Sequence, residues 1–377
     1  MAAAAEGPNC WPVASTIYQQ LQCWSLPAPD CPHNRDSLIP CHPLREARGA
    51  RLRRCRPPEQ ETGPSGCIVA ARGLPTTESA WLFSYFHHPG ADGLRLAWSR
   101  DALRWEVLGG GQPLVAPQLG AECLMRDPYI HQGPDGRFHM VWTTGWRGRG
   151  IGYAWSDDLL HWSEQRELPV MGGEPSAQNC WAPEILYDRE RGVHLLYWSS
   201  TIPGRFPETE DPGHWNHRIY CAETADFRTL GDTELLVDPG FNAIDADILE
   251  RDGRWLLFLK NETEPPLPLE KNIRFLVAAG PRGPYGPASA PITGDYWAEG
   301  PCAVAMGDGV TVFFDKHRER RYGAVRSTDL RTWEDISDRL IIPPPARHGH
   351  VFAVAEPVLA ALLRHRPARA GGSPGGR

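Results

Sequence analysis

Gly93-Leu-Arg-Leu-Ala-Trp-Ser-Arg-Asp-Ala-Leu-Arg-Trp105 is a segment that the chain repeats. Close copies are Gly150-Ile-Gly-Tyr-Ala-Trp-Ser-Asp-Asp-Leu-Leu-His-Trp162 and Arg321-Tyr-Gly-Ala-Val-Arg-Ser-Thr-Asp-Leu-Arg-Thr-Trp333, and a more distant copy is His217-Arg-Ile-Tyr-Cys-Ala-Glu-Thr-Ala-Asp-Phe-Arg-Thr-Leu230. Each copy starts with alternating apolar and polar residues, then has Ser or Thr, an Asp two residues later, and finally Trp or Leu. The pattern predicts a β-strand followed by a turn that the Asp side chain closes and an aromatic ring plugs.

The repeats predict five structural units. The interval from Trp105 to Trp162 fits four times between Trp105 and Trp333, so a fifth unit is needed after Leu230. Asn272-Ile-Arg-Phe-Leu-Val-Ala278 and the turn around Pro284-Tyr285 supply it. Each unit also contains an apolar strand before the repeated one: Trp81–Phe86, Phe138–Trp142, His194–Trp198, Trp255–Leu259 and Val310–Phe314. Three strands, with a fourth expected after the turn, are typical of a β-propeller blade.

One strand is missing at the start and one is left over at the end. Further strands begin near Asp127, Trp181, Ile244 and Glu299, but the first unit has none in front of it. His348-Gly-His-Val-Phe-Ala-Val-Ala355 is an apolar strand with no unit after it. We therefore predict an all-β fold, a five-bladed β-propeller over residues 79–362 whose ring is closed by the C-terminal strand. Short strands alone leave an open β-sandwich or two smaller β domains as alternatives.

The two ends differ from this domain in composition. Residues 1–78 mix Pro, Arg, Ser and Cys without periodicity, and we expect a disordered extension there. A zinc site could be imagined from Cys31, His33, Cys41 and His42, but their spacing fits no standard zinc knuckle. Residues 363–377, rich in Gly, Pro and Arg, are expected to form a flexible tail.

Composition excludes some partners. The net charge of -7 gives no basic footprint for nucleic acid, and no apolar run is long enough to span a membrane. We therefore expect a soluble protein, and we expect it to be a monomer. No signal peptide is evident, and the sequence leaves the location of the protein open. The 15 Trp residues, with 38 Gly and 37 Pro, favour short strands, many turns and an aromatic-lined surface.

In a propeller, the first strand of each blade lines the central channel, so residues that begin these strands meet although they are distant in sequence. The segments are Arg126-Asp-Pro-Tyr-Ile130, Trp181-Ala-Pro-Glu-Ile185, Ala243-Ile-Asp-Ala-Asp-Ile248, Ala298-Glu-Gly-Pro301 and Arg347-His-Gly-His350. Singly, the acidic residues before Pro or Gly are typical of solvated turns. Because the acidic residues recur at the same position in successive blades, we expect their carboxylates to converge and to raise each other's pKa. Such a group of carboxylates indicates a functional site rather than a set of solvated turns. Asp245 and Asp247 are expected to share one strand face.

Asp127 in Arg-Asp-Pro, Trp181-Ala-Pro-Glu184, Ile244-Asp245, Glu299-Gly-Pro and His348 together resemble the blade motifs of glycoside hydrolase family 43. The resemblance covers roughly residues 79–362, and residues 1–78 match nothing in the family. It implies an inverting glycosidase in which Asp127 is the general base, Asp245 tunes pKa and orientation, and Glu299 is the general acid. Inversion would place the carboxyl groups of Asp127 and Glu299 roughly 6.5–9.5 Å apart. Among the two nearby aspartates, the family motif favours Asp245 over Asp247.

The same resemblance suggests the rest of the site. Trp181 and Trp297 would stack on a sugar ring, although either could instead fill space between blades. Glu184, Asp247 and His348 are the further predicted substrate-binding residues. The expected partner is an oligo- or polysaccharide with arabinofuranosyl, xylosyl or galactosyl units. No cofactor or catalytic metal is required, and a structural cation such as calcium in the central channel, near His348, is compatible with the family.

Three other interpretations remain. An invertase-type propeller also has an Arg-Asp-Pro segment, but Glu122-Cys123 lies on the wrong side of Asp127 for its acid motif. Sialidases have similar Asp turns, but five units and the lack of an evident arginine triad argue against them. A non-catalytic propeller that binds glycans or proteins could retain all three carboxylates.

Overall fold

The computed structural model describes residues 79–365. The predictions of a disordered extension and a zinc site over residues 1–78, and of a flexible tail beyond 365, lie outside the described residues. Within 79–365, no helix combines the length and apolar character needed to cross a membrane.

Five antiparallel sheets follow one another along the chain. The first contains β1 (Ser79–His87), β2 (Arg95–Ser99) and β3 (Glu106–Val107). The second contains β4 (Arg126–Gln132), β5 (Phe138–Thr143), β6 (Ile151–Ser156) and β7 (Arg166–Leu168). The third contains β8 (Trp181–Asp188), β9 (Val193–Thr201), β10 (His217–Thr224) and β11 (Glu234–Val237). The fourth contains β12 (Ala243–Arg251), β13 (Arg254–Asn261) and β14 (Asn272–Ala278). The fifth contains β15 (Ala298–Met306), β16 (Gly309–Lys316), β17 (Arg321–Ser327) and β18 (Glu334–Asp335).

The chain ends its ring with β19 (Ala346–Ala355), which joins the first sheet beside β1. The pairing is antiparallel and runs from Ser79 opposite Ala355 to His87 opposite Ala346. The predicted five-bladed propeller with ring closure is thus confirmed. A helix that the sequence did not predict, α1 (Glu356–Arg364), follows β19 past residue 362, where we placed the end of the domain. Short 3-10 helices occur at Gly109–Gly111, Pro207–Thr209, His317–Glu319 and Ser337–Arg339.

The propeller is held together by apolar packing between neighbouring blades. Five clusters of buried side chains each combine residues of two adjacent sheets. Trp142 and Trp198, for example, are fully buried on β5 and β9 and pack in successive clusters. This explains part of the tryptophan content, because large rings fill the wedge between two twisted sheets.

The fourth blade lacks the outer strand that we expected after its turn. The segment following β14 runs beside it, and Gly286, Ser289 and Ile292 donate backbone hydrogen bonds to it at 2.9, 2.8 and 2.9 Å. Pro287 and Pro291 have no N–H to donate, and donors three residues apart cannot match the two-residue period of a ladder. The segment therefore follows the sheet edge without forming a strand.

The repeated Asp residues close turns as predicted. Asp101 Oδ1 accepts the backbone N–H groups of Leu103 and Arg104 at 2.8 Å, and Trp105 Nε1 donates to the Ala102 carbonyl at 3.1 Å. The two bonds to the Asp carboxylate recur in the other copies, around Asp158, Asp226 and Asp329, and Trp162 Nε1 donates to the Leu159 carbonyl at 3.2 Å. Each turn thus satisfies backbone donors with a side chain, as an Asx turn does.

The first strands of four blades share a β-bulge. The strand register shifts between Arg126 and Tyr129, Trp181 and Glu184, Ile244 and Asp247, and Glu299 and Cys302. In each bulge one residue has positive φ: Asp127 at 52°, Ala182 at 44°, Asp245 at 56° and Gly300 at 60°. Asp127 and Asp245 therefore occupy equivalent positions, but Glu299 lies one residue earlier than the common register that we predicted. The bulge also interrupts the strand alternation from which we inferred that Asp245 and Asp247 share one face.

Buried neutral histidines should make the fold sensitive to acid. Burial lowers the pKa of His217 to about 4, although Asn242 and Glu262 act in the opposite direction. Burial lowers the pKa of His194 to about 4 as well. The unfolded chain takes up protons at these sites as pH falls below about 6.5, whereas the folded chain does not until about pH 4. The stability that neutral His217 contributes is therefore present above pH 6.5 and is lost over this window.

We expect the free energy of unfolding to fall by about 3 kcal/mol between pH 6.5 and 4 because of His217 alone. Urea unfolding at several pH values measures this loss. His217→Gln, which cannot titrate, should show a shallower pH dependence even if it is less stable at every pH. An equal slope in the wild type and His217→Gln would contradict the assignment.

Candidate active site

Three acidic side chains from different blades surround one histidine at the end of the propeller where the first strands begin. His348 lies on β19, and its Nδ1 is 3.2 Å from Asp127 Oδ1. Burial lowers the pKa of His348, but the carboxylates of Asp127, Asp245 and Glu299 outweigh that effect and raise the pKa to about 9. The imidazole is therefore positively charged at neutral pH. The structure thus brings together the three predicted carboxylates and His348.

Asp127 is held as an ionised carboxylate. Its Oδ2 accepts a hydrogen bond of 2.8 Å from the Thr143 hydroxyl, and the same hydroxyl accepts the N–H of Ala182 from the next blade. Burial raises the pKa of Asp127, but the charge and hydrogen bond of His348, with Arg126 and Thr143, bring that pKa below its ordinary value. A carboxylate in this state is ready to accept a proton.

Asp245 is more easily protonated than Asp127, although the two occupy equivalent bulges. Its Oδ2 accepts the backbone N–H of Gly300 at 3.0 Å, and its own N–H donates to Ser199 Oγ at 3.0 Å. Burial raises the pKa of Asp245 to about 6, with Glu299 and Asp127 adding to the rise and His348 opposing it. Different neighbours thus separate the two aspartates in pKa, which is common among paired catalytic carboxyls.

Glu299 lies among cations. Lys260 Nζ is 3.0 Å from its Oε2, His317 Nδ1 is 2.6 Å from its Oε1, and Arg347 Nη2 is 3.7 Å from Oε1. Burial raises the pKa of Glu299, but Lys260 and His317 overcome it and hold the pKa well below its ordinary value. A general acid must carry a proton, so Glu299 alone does not have the protonation state that the predicted role requires.

His317 connects Glu299 to a fourth acidic residue. Its Nδ1 lies 2.6 Å from both Glu299 Oε1 and Arg347 Nη2. One ring nitrogen either donates a proton to Glu299 or accepts one from Arg347, so only one of these contacts is a hydrogen bond at a time. Arg347 Nε also pairs with Asp315 Oδ2 at 3.0 Å. Burial and nearby Glu299 raise the pKa of Asp315 to about 6.

Glu184 and Asp247, both predicted to bind substrate, form hydrogen bonds with other residues of the propeller. Glu184 accepts a hydrogen bond of 2.6 Å from the Tyr197 hydroxyl, and it lines a small pocket together with Asp127 and His348. Asp247 is fully buried and accepts the backbone N–H of Ala303 from the next blade. The structure places Glu184 next to the carboxylate centre but leaves Asp247 out of contact with solvent.

The two predicted tryptophans lie on different sides of the site. Trp181 stacks on Trp215 with ring centroids 5.2 Å apart, and its Nε1 donates to the Trp146 carbonyl at 3.2 Å. Trp297 precedes β15, two residues before Glu299, and carries the guanidinium of Arg318 at 3.5 Å from its ring centroid. Both are partly exposed, so stacking on a sugar ring stays a prediction for each.

A structural cation such as calcium near His348 stays a prediction. Calcium takes six to eight oxygen ligands, and the contact found here is between His348 Nδ1 and Asp127 Oδ1. Among residues 79–365, no three His, Cys, Asp or Glu side chains are grouped so that they could hold a metal. The calcium prediction therefore gains no support from these contacts.

Several residues of the site were not predicted from the sequence. Lys260 and Asp315 lie near the ends of strands that are otherwise apolar, Trp255–Leu259 and Val310–Phe314. An ionisable residue that directly follows a buried strand was the available signal. Thr143, His317 and the pairing role of Arg347 gave none, because their partners lie on other strands, at a distance in the sequence.

Comparisons with known proteins identify a family. The sequence model of a family described as "Probable glycosyl hydrolase domain", related to glycoside hydrolase family 43, matches residues 77–357. An α-L-arabinofuranosidase of Bifidobacterium longum subsp. longum is 22% identical over 186 residues, which are 43% of this chain and 17% of that protein. The chain thus spans about a sixth of the length of this curated relative.

Two solved structures are similar at low identity. An α-L-arabinofuranosidase from Clostridium thermocellum is 12% identical, with 74% of this chain and 93% of that chain covered and a TM-score of 0.49. An α-L-arabinofuranosidase from Lactobacillus brevis is 18% identical, with coverages of 56% and 72% and a TM-score of 0.44.

Proposed function

Because the chain belongs to this glycosyl hydrolase family related to family 43, we propose that it hydrolyses O-glycosidic bonds with inversion at the anomeric carbon. Asp127 is the general base, Glu299 delivers the proton to the leaving oxygen, and Asp245 adjusts the charge between them. The observation that carries the proposal is the position of His348, within electrostatic reach of all three carboxylates. A purely structural ring would gain little from gathering these acids at one end.

The base is the better-supported half of the mechanism. In an inverting hydrolase, a carboxylate removes a proton from a water molecule as the water attacks the anomeric carbon from the face opposite the leaving group. Asp127 is ionised, and Thr143 and His348 fix both its oxygens. A carboxylate held in one orientation avoids the cost of ordering it during the reaction.

Glu299 and His317 are proposed to act together as the general acid. Glu299 is ionised in the free site, so the proton must come from a group that shares one with it. His317 is in contact at 2.6 Å, and its protonated ring would place a proton between Nδ1 and Oε1. A leaving oxygen that approaches Glu299 Oε1 could then receive that proton, while Arg347 compensates the neutral imidazole by donating to Nδ1.

An α-L-arabinofuranoside is the proposed substrate, because the curated relative carries that activity in its name. The test is a panel of p-nitrophenyl arabinofuranoside, xyloside and galactoside, with the anomer of the released sugar followed by NMR. We expect arabinofuranoside to be cleaved fastest and the first product to have the inverted configuration. Retention of configuration would overturn the mechanism, and cleavage of xyloside or galactoside alone would overturn the substrate.

The environment of Glu299 favours one other function, a non-catalytic propeller that binds glycans. Lys260 and Arg347 stabilise the ionised form of Glu299, which suits a binding site better than an acid catalyst. This second candidate predicts measurable binding of oligosaccharides without release of product from any member of the panel.

A further inference from the structure

Three arginines at the end of the propeller that carries Asp127 stack on tryptophans. The ring-centroid distances are 4.3 Å for Arg126 on Trp146, 4.4 Å for Arg147 on Trp215 and 3.5 Å for Arg318 on Trp297. The strand register places them at this end. Arg126 begins β4 opposite Thr143, the last residue of β5, and the loop after Thr143 carries Trp146.

The guanidinium groups keep donors available. Arg126 Nη1 donates to the Pro89 carbonyl, and Arg147 donates to Gln178 Oε1. In the part of the chain that the structure describes, Arg126, Arg147 and Arg318 form no ion pair with a carboxylate. Stacking fixes the plane of a guanidinium and leaves its N–H edges directed outward, which is the geometry that binds a carboxylate or sulfate through two parallel hydrogen bonds.

Two of the three stacks belong to one continuous aromatic strip. Trp146 lies 5.9 Å from Trp181, and Trp181 lies 5.2 Å from Trp215. The residue after Trp181, Ala182, is linked to Asp127 through the Thr143 hydroxyl. The strip therefore borders the proposed base, while Arg318 and Trp297 lie on the side of Glu299.

Cations are grouped on part of this end, beside the carboxylates of the site. The chain has a net charge of -7, yet the charged groups that act on the exposed His88 are Arg126, Arg347, His317 and Arg320. Burial lowers the pKa of His88, and these cations lower it further. Neutral pentose or galactose units would not need such a concentration of positive charge.

We propose that this arginine–tryptophan surface, formed by Arg126, Arg147 and Arg318 with their tryptophans, binds an anionic glycan. The charged group of the sugar, a uronate carboxylate or a sulfate ester, pairs with the arginine edges, and a neutral ring face stacks on the exposed indole of Trp146. The inference rests on the proposed function and deepens it: the anionic group belongs to the glycan that the same site binds, and the α-L-arabinofuranosyl unit proposed for cleavage is itself neutral.

Calorimetric titration with matched sugars tests the proposal. The ligands are trigalacturonic acid and its methyl ester, in which each charged carboxylate is replaced by a neutral ester, and a sulfated carrageenan tetrasaccharide with its desulfated form. We expect a charged ligand to bind at least about 10-fold more tightly than its neutral counterpart, and the preference to weaken as salt is added. The pair with the larger preference identifies the carboxylate or the sulfate as the recognised group.

Substitutions distinguish binding at this surface from a general attraction between the anionic ligand and the positive charges of the protein. In the double variant Arg147→Gln/Arg318→Gln, the preference should fall to within about twofold, with the neutral ligand bound as before. Arg137→Gln is the matched control: Arg137 stacks on Trp155 at 4.0 Å, but it pairs with Asp157 and follows the opposite end of β4. It should keep the full preference.

The outcomes distinguish the two proposals. Equal binding of charged and neutral ligands, or a preference that survives the double variant, overturns the inference even if the p-nitrophenyl glycosides are cleaved. A charge preference lost only in the double variant supports the inference, and with no hydrolysis of any glycoside it would overturn the proposed function alone.

Discussion

Asp127→Asn is expected to lower kcat on the cleaved p-nitrophenyl glycoside by roughly 10³-fold. General bases contribute typically 10²–10⁴ to the rate, and an amide cannot take the proton from the attacking water. The substituted side chain keeps an oxygen that can accept the hydrogen bond from Thr143, so the fold should persist. Circular dichroism and thermal unfolding of the variant check this point.

A second readout of the same variant is independent of activity. Asp127 is the first of the carboxylates that raise the pKa of His348 to about 9, although burial acts against them. Without that charge, the pKa of His348 should fall, and NMR titration of the imidazole measures the change. Asp329→Asn, in a solvent-exposed turn of the fifth blade, is the control and should leave both kcat and the pKa of His348 unchanged. Full activity of Asp127→Asn would remove Asp127 from the mechanism.

Lys260→Met is expected to reduce the free energy of unfolding by about 3 kcal/mol at pH 7. Lys260 is 3% exposed and pairs with Glu299 at 3.0 Å and with Glu262 at 2.6 Å. Removing one partner of a buried ion pair typically costs 3–5 kcal/mol, and we expect the lower end of that range because His317 still contacts Glu299 and Lys271 still contacts Glu262. Urea unfolding of wild type and variant gives the difference.

The pH dependence of this loss provides the check. Lys260 lowers the pKa of Glu299 and of Glu262, so their stabilisation is present above their ordinary pKa and is lost as pH falls through the lowered values. The difference between wild type and Lys260→Met should therefore shrink below about pH 4.5. Lys260→Arg preserves the charge and should lose much less stability. A difference that does not depend on pH would indicate lost packing rather than a lost ion pair.

The repeated turns made the propeller predictable. The Asp turns satisfy local hydrogen bonds, so they are visible in the sequence wherever a blade occurs. The prolines after β14 remove the outer strand of the fourth blade, and the turn pattern contains no information on that edge. Asp127 and Asp245 were recognisable because each lies in a short motif at the start of a strand.

The protonation states of the site residues were much less predictable than their location. The pKa of Glu299 depends on Lys260 from the fourth blade and on His317 from a loop of its own blade. Such neighbours are set by strand pairing and by the packing of adjacent blades, and no local pattern relates them. The one-residue offset of Glu299 has the same origin, since a bulge is defined by pairing with the next strand.

His348 lies on the last strand of the ring, which gives the site an order of assembly. During synthesis, Asp127 and Asp245 leave the ribosome long before β19 does, so they must remain hydrated until the imidazole arrives to balance them. Burial of the acids and closure of the ring are then one event. A chain that folds incompletely would have no assembled site, and the proposed hydrolysis would require the last strand to be in place.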